Sequence, residues 1–234
     1  MVIDVKDIKS KIPFLIRGIL VFLLFFYSAY FQLIPIKLFH LDVHSLSDTE
    51  NVILSTFSSI VVVLILIAIY WKELKKDFSS YRKNIMENLD IGIKYWMSGL
   101  AIMMISNLII TFVFKAGGAN NEELVQNMIH SLPWLMVIDA GILAPFNEEM
   151  VFRKTLKDIF NQKWIFVICS FLLFGGAHVI NNATNILDYL YIIPYGALGG
   201  AFALAVYKSD NIFTSISMHM FHNLVLVLLS IFVL

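Results

Sequence analysis

Residues 52–71 read VILSTFSSIVVVLILIAIYW, twenty positions without one charged side chain. A helix needs about 20 apolar residues to cross the hydrocarbon layer of a bilayer. This run meets that length, and six others resemble it, at roughly 18–36, 95–114, 131–147, 164–182, 189–207 and 212–234. Together they fill most of the 234 residues, 59% of which are hydrophobic and 15% charged, and mean hydropathy is +0.80. Soluble domains are less apolar and carry about 25% charged residues. The expectation is therefore an all-α polytopic bundle of about seven transmembrane helices. The first apolar run ends without a small-residue cleavage site, so it reads as a retained helix.

Seventeen Lys and Arg balance seventeen Asp and Glu, which excludes a basic nucleic-acid binder on bulk charge. The single cysteine, Cys169, excludes a disulfide scaffold and a multi-thiolate metal site. If seven helices alternate, the segments before residue 18 and at 72–94, 148–163 and 208–211 share one side and hold fifteen Lys and Arg. Lys37 and Lys115 alone fall on the other. The positive-inside rule then puts the N-terminus in the cytoplasm and Leu234 outside, and the compactness of the 234-residue chain gives the expectation of a prokaryotic plasma membrane.

Ionisable residues inside apolar runs are costly and mark function. They gather in the last hundred residues, as Asp139, Glu148, Glu149, Arg153, His178, His219 and His222, with Asn223 beside them. The expected division is a scaffold over 1–130 and a working core over 131–230, within one membrane unit.

Three clusters carry the chemistry. In APFNEEMVFR (144–153), Glu149 and Arg153 are i,i+4 and can pair, which leaves Glu148 free about 100° round the helix. A solvated helix end is the plain structural alternative, opposed by the apolar pattern continuing through Phe160. In FLLFGGAH (171–178), Gly175 and Gly176 permit close approach one turn before His178, and Phe174 shares its face. A lone histidine there also suits simple packing. In SISMHMFHN (215–223), His219, His222 and Asn223 crowd one side of the last helix. They could be interhelical hydrogen-bond glue or a working site. Two histidines and a glutamate also make a zinc set, but no His-Glu-x-x-His spacing is present. Gly196 and Gly200, with Ala197, Ala201 and Ala205, offer a small-residue packing face.

Glu148-Glu149-x-x-x-Arg153, Phe174-x-x-x-His178 and His219-x-x-x-Asn223, in this order on successive helices, resemble the three motifs of the CAAX-protease and bacteriocin-processing (CPBP, or Abi) family. The resemblance covers about residues 131–230. Lys154 departs from it, standing where many members carry Gly. The resemblance implies a glutamic intramembrane endopeptidase without metal or other cofactor. Glu148 and His178 would activate a water, His219 and Asn223 would bind the oxyanion, and Glu149 with Arg153 would support them. The partners implied are a peptide or membrane-protein substrate and the lipid bilayer. A non-proteolytic scaffold or regulator, as in bacteriocin self-immunity, is the alternative, and a transporter comes third because no inverted repeat is visible.

Depth sets a condition on this reading. His178 lies 14 residues past Trp164, about 21 Å at 1.5 Å per residue. Glu148 and His178 can meet only if the helix carrying Glu148 runs on to about Phe160 and the next begins below the headgroups.

Overall fold

The structure is a computed structural model that describes residues 5–233. Met1–Asp4 and Leu234, both ends used in the topology expectation, lie outside the described residues, as do the side chains of residues 5–11. The described chain is helical throughout, without strands: α1 (Val5–Phe26), a 3₁₀ turn (Ser28–Gln32), α2 (Leu33–Leu38), α3 (Asp48–Lys83), α4 (Ile85–Phe112) and α5 (Asn120–Ser131). A widened helix α6 follows over 133–159, then α7 (Lys163–Val179), a 3₁₀ turn (Ile186–Tyr191), α8 (Ile192–Ser209) and α9 (Ile212–Phe232).

Four helical segments among the described residues are long and apolar enough to cross a membrane, and a bent pair over the first apolar run brings the number to five. The expected 18–36 span is that pair, bent by 57°. Its break has a local cause. The Ser28 carbonyl accepts from Ser58 Oγ of α3 at 2.6 Å, tying the 3₁₀ turn to that helix. The apolar helix α7 is 17 residues long, and α6 is interrupted by π turns at Asp139–Leu143 and Met150–Thr155.

Segment 72–94, which lies between two apolar runs, is helical on both sides of Asn84. Residues 72–91 contain no Gly or Pro, so α3 runs to Lys83 and only Asn84 (φ −119, ψ 36) separates it from α4. A capping box starts α3: the Glu50 N–H donates to Ser47 Oγ, and the Ser47 N–H donates to the Glu50 carboxylate at 2.8 Å. Helix α5, NNEELVQNMIHS, has no apolar run to mark it in the sequence. Tertiary bonds hold it: Asn120 Nδ2 donates to the Asn182 carbonyl at 2.7 Å, and Ser230 Oγ of α9 donates to Gln126 Oε1.

The core forms where α6 crosses the bundle. Met150, Val151 and Phe152 are fully buried, and the Phe152 ring meets Phe22, Phe25 and Phe174 edge-on at 6.0, 5.3 and 5.7 Å. Helices α7 and α8 touch backbone to backbone. A Cβ on Gly175 would stand 2.5 Å from the Ile192 carbonyl, and one on Gly199 3.0 Å from the Ser170 carbonyl. The small-residue face of α8 also serves α4, since a Cβ on Gly99 would stand 2.6 Å from Ala201 Cβ.

The charged segments meet at one end of the bundle. Arg17 bridges Glu73 and Asp158, Lys157 pairs with Asp210, and Asn211 Nδ2 donates to the Asp77 carbonyl at 2.7 Å. At the other end the 113–121 and 180–191 segments join through Asn120, Asn182 and Asp188, and Tyr191 OH donates to the Gly117 carbonyl.

Candidate active site

Helix α6 carries Glu148 and Glu149 on its α-helical segment Ala144–Glu149, between the two π turns. Such wide turns cost helical hydrogen bonding and concentrate at functional sites. Side chains of α3 fasten both. Thr56 Oγ1 donates to Asp139 Oδ2 at 3.1 Å, and Tyr70 OH bonds Thr155 Oγ1 at 2.7 Å. Helix α6 runs on to Ile159, so the extension that the depth condition demanded is present.

Glu149 and Arg153 are fully buried, with Arg153 Nη1 3.0 Å from Glu149 Oε1. The same oxygen accepts from His219 Nδ1 at 2.8 Å. Among the described residues no acceptor is aligned with the guanidinium nitrogens. The cation lies instead over the Phe174 and Phe202 rings, at 4.3 and 5.4 Å.

Glu148 points away from this pair, as its angular offset requires. Its Oε1 lies 3.9 Å from His178 Nε2 and its Oε2 3.6 Å from His219 Nε2. Both gaps exceed a hydrogen bond and can be spanned by one water with legs of about 2.8 Å. His178 donates from Nδ1 to the Phe174 carbonyl at 2.9 Å, which turns its Nε2 toward Glu148. Aromatic plates fix both imidazoles: Tyr195 stacks on His178 at 4.7 Å and Phe202 on His219 at 5.0 Å.

Asn223 donates from Nδ2 to the Ala140 carbonyl at 2.9 Å. His222, from the same sequence cluster, turns toward α4, where Trp96 Nε1 donates to its Nδ1 at 3.4 Å. Glu148, His178, His219, His222 and Asn223 line one cavity of about 260 Å³, with Asn121, Glu122 and Gln126 of α5 on its wall. The fold thus brings the four residues singled out in the sequence to one space, over Glu149 and Arg153. No three His, Cys, Asp or Glu among the described residues are grouped to hold a metal ion.

Sequence reasoning missed Trp96, Tyr195, Phe202 and the α5 wall. Tyr195 and Phe202 are large aromatics seven apart on the helix that carries the small-residue face. That spacing puts both rings on one face. Helix α5 left no such trace.

Residues 130–225 match the model of the Rce1-like family, described as type II CAAX prenyl endopeptidase Rce1-like. The "Putative membrane peptidase YdiL" of Bacillus subtilis (strain 168) is 25% identical over 187 residues, covering 76% of this chain and 70% of that protein. The "UPF0177 protein YxdF" of Lactococcus lactis subsp. lactis (strain IL1403) is 25% identical over 170 residues, covering 70% of this chain and 88% of that protein. No solved structure matches. The family model spans all three motifs, so over residues 130–225 the chain is similar to the Rce1-like CAAX prenyl endopeptidases, in line with its likeness to the two bacterial proteins.

Proposed function

We propose that this protein is an intramembrane glutamic endopeptidase that hydrolyses a bond in a peptide or membrane-protein substrate. One observation carries the reading: a carboxylate with two imidazole nitrogens at 3.9 and 3.6 Å, on the wall of a cavity.

A water between Glu148 and His178 meets two acceptors, the carboxylate and Nε2. Both its protons are then engaged and its lone pair is left to face a substrate carbonyl carbon. Glu148 takes one proton as the oxygen attacks, and general-base help of this kind contributes about 10²–10⁴ in rate. Negative charge moves to the carbonyl oxygen, where the His219 Nε2–H and an Asn223 amide N–H donate to it. That role needs a proton on both nitrogens of His219, with Nδ1–H held by Glu149. The proton on Glu148 then passes to the leaving amine. Arg153 offsets the Glu149 charge in a setting where a lone carboxylate is expensive. No step calls on a metal or other cofactor.

The same reading gives seven crossings, with 1–130 as scaffold and 131–230 as catalytic core, and a cytoplasmic N-terminus. The meeting of Arg17, Glu73, Asp158, Lys157 and Asp210 at one end supports this parity, because every Lys/Arg-rich segment then shares a side.

The test compares peptides released by cells carrying the wild type or Glu148→Gln, by mass spectrometry. A peptide that disappears in the variant is expected. Identical peptide profiles at equal protein levels contradict the reading.

A further inference from the structure

The first π turn of α6 leaves a carbonyl without a backbone donor. In this turn the Ala144 N–H donates to the Asp139 carbonyl, a bond reaching back five residues. The next donor in that register is residue 145, which would take the Ala140 carbonyl. Residue 145 is Pro and has no N–H. The Ala144 N–H is already committed one carbonyl earlier, so no backbone donor of this turn serves Ala140. Its carbonyl accepts instead from Asn223 Nδ2 of α9 at 2.9 Å.

Two neighbours make this contact specific. Gly141 lets α9 close in, since a Cβ there would stand 2.6 Å from Leu224 Cδ2. Asp139, held by Thr56 at 3.1 Å, fastens the turn to α3. A planar amide with one N–H pinned has the direction of its second N–H fixed. For Asn223 that second N–H is free for the cavity whose wall the residue forms.

We propose that Pro145 is a positioning residue. Its missing N–H frees the Ala140 carbonyl to capture Asn223 and to aim the remaining amide N–H at the reacting carbonyl. The aiming part rests on the proposed protease reading; the carbonyl exchange does not. Pro145→Ala supplies the absent donor. The turn then closes on itself, and Asn223 loses the acceptor that orients it. A preorganised donor contributes to catalysis through geometry, so turning it away removes its benefit without unfolding the chain.

The test is a double-mutant cycle on the full-length protein in detergent, read first by thermal unfolding. Asn223→Leu should lower the midpoint in the wild-type background, because the part-buried Ala140 carbonyl loses its side-chain donor. In the Pro145→Ala background the same change should cost far less, since the new N–H takes that carbonyl. Asn223→Ala repeats the cycle without the bulk of Leu. Equal losses in both backgrounds, with either variant, overturn the proposal. The second reading uses the peptide whose release depends on Glu148. Pro145→Ala should lower kcat at least about tenfold with KM unchanged, and lower it no further once Asn223 is replaced. Losses that multiply contradict the positioning role. A wild type that cleaves nothing sinks the protease reading, while the unfolding cycle still decides the exchange of donors.

Discussion

His219 Nδ1 lies 2.8 Å from Glu149 Oε1, the oxygen that also lies 3.0 Å from Arg153 Nη1. One carboxylate oxygen thus holds a helix-α6 cation and a helix-α9 imidazole together. The adjacent Glu148 is turned to the cavity, with Oε2 free of hydrogen-bond partners among the described residues. The doublet of glutamates divides by angle, one binding the helices and the other facing the cavity.

Breaking that knot should be expensive. Arg153→Ala strands the buried Glu149 carboxylate and Glu149→Gln strands the guanidinium, each at about 3–5 kcal/mol. Both variants should accumulate poorly and unfold at lower temperature in detergent. Arg153→Lys should not restore the wild type, because an ammonium lacks the planar face that rests on Phe174 at 4.3 Å. Normal abundance and thermal stability of Arg153→Ala would show that the pair is not structural.

Close backbone contact between α7 and α8 predicts a contrast between two glycines. Gly175→Ala puts a methyl 2.5 Å from the Ile192 carbonyl, so the helices must part beside His178. The expected loss is about 1–3 kcal/mol of stability, with reduced cleavage. Gly200→Ala meets only ordinary contacts, the nearest at 3.7 Å, and should be close to neutral. Equal effects at the two positions would argue against the packing described.

The proposed parity is open to labelling. In a Cys169→Ser background, a cysteine at Ser80 should be protected from an impermeant maleimide in intact cells, and one at Asn120 should react. Reaction at residue 80 from outside would reverse the topology.

The sequence made the core of the site legible and much of its setting opaque. Spacing alone paired Glu149 with Arg153 and turned Glu148 aside, because neighbouring helical positions differ by a fixed angle. The bond from His219 to Glu149 spans 70 residues and no local pattern could report it. Apolar runs located the hydrophobic segments but misjudged their ends. Hydropathy measures solvent preference and cannot see that residues 72–83 stay helical beyond the apolar stretch. Helix α5 is polar and held by Asn182 and Ser230, partners that only the assembled bundle supplies. The π turns were invisible for a similar reason, since the bonds from Thr56 and Tyr70 that fasten them come from a distant helix.

Chelation separates a glutamate-activated water from a metal-bound one. Without a metal in the mechanism, strong chelators should leave the rate unchanged. Activity abolished by chelator and restored by Zn²⁺ would point to a bound ion that lowers the water's pKa.

Proton transfer to Glu148 is the central claim, and cleavage by purified Glu148→Gln tests it most directly. The amide keeps the size of the side chain and cannot accept the water's proton. With wild type and variant folded alike in detergent, cleavage of the peptide identified in cells should fall by about 10²–10⁴. Glu148→Gln cutting at the wild-type rate would contradict the assignment of Glu148 as the base.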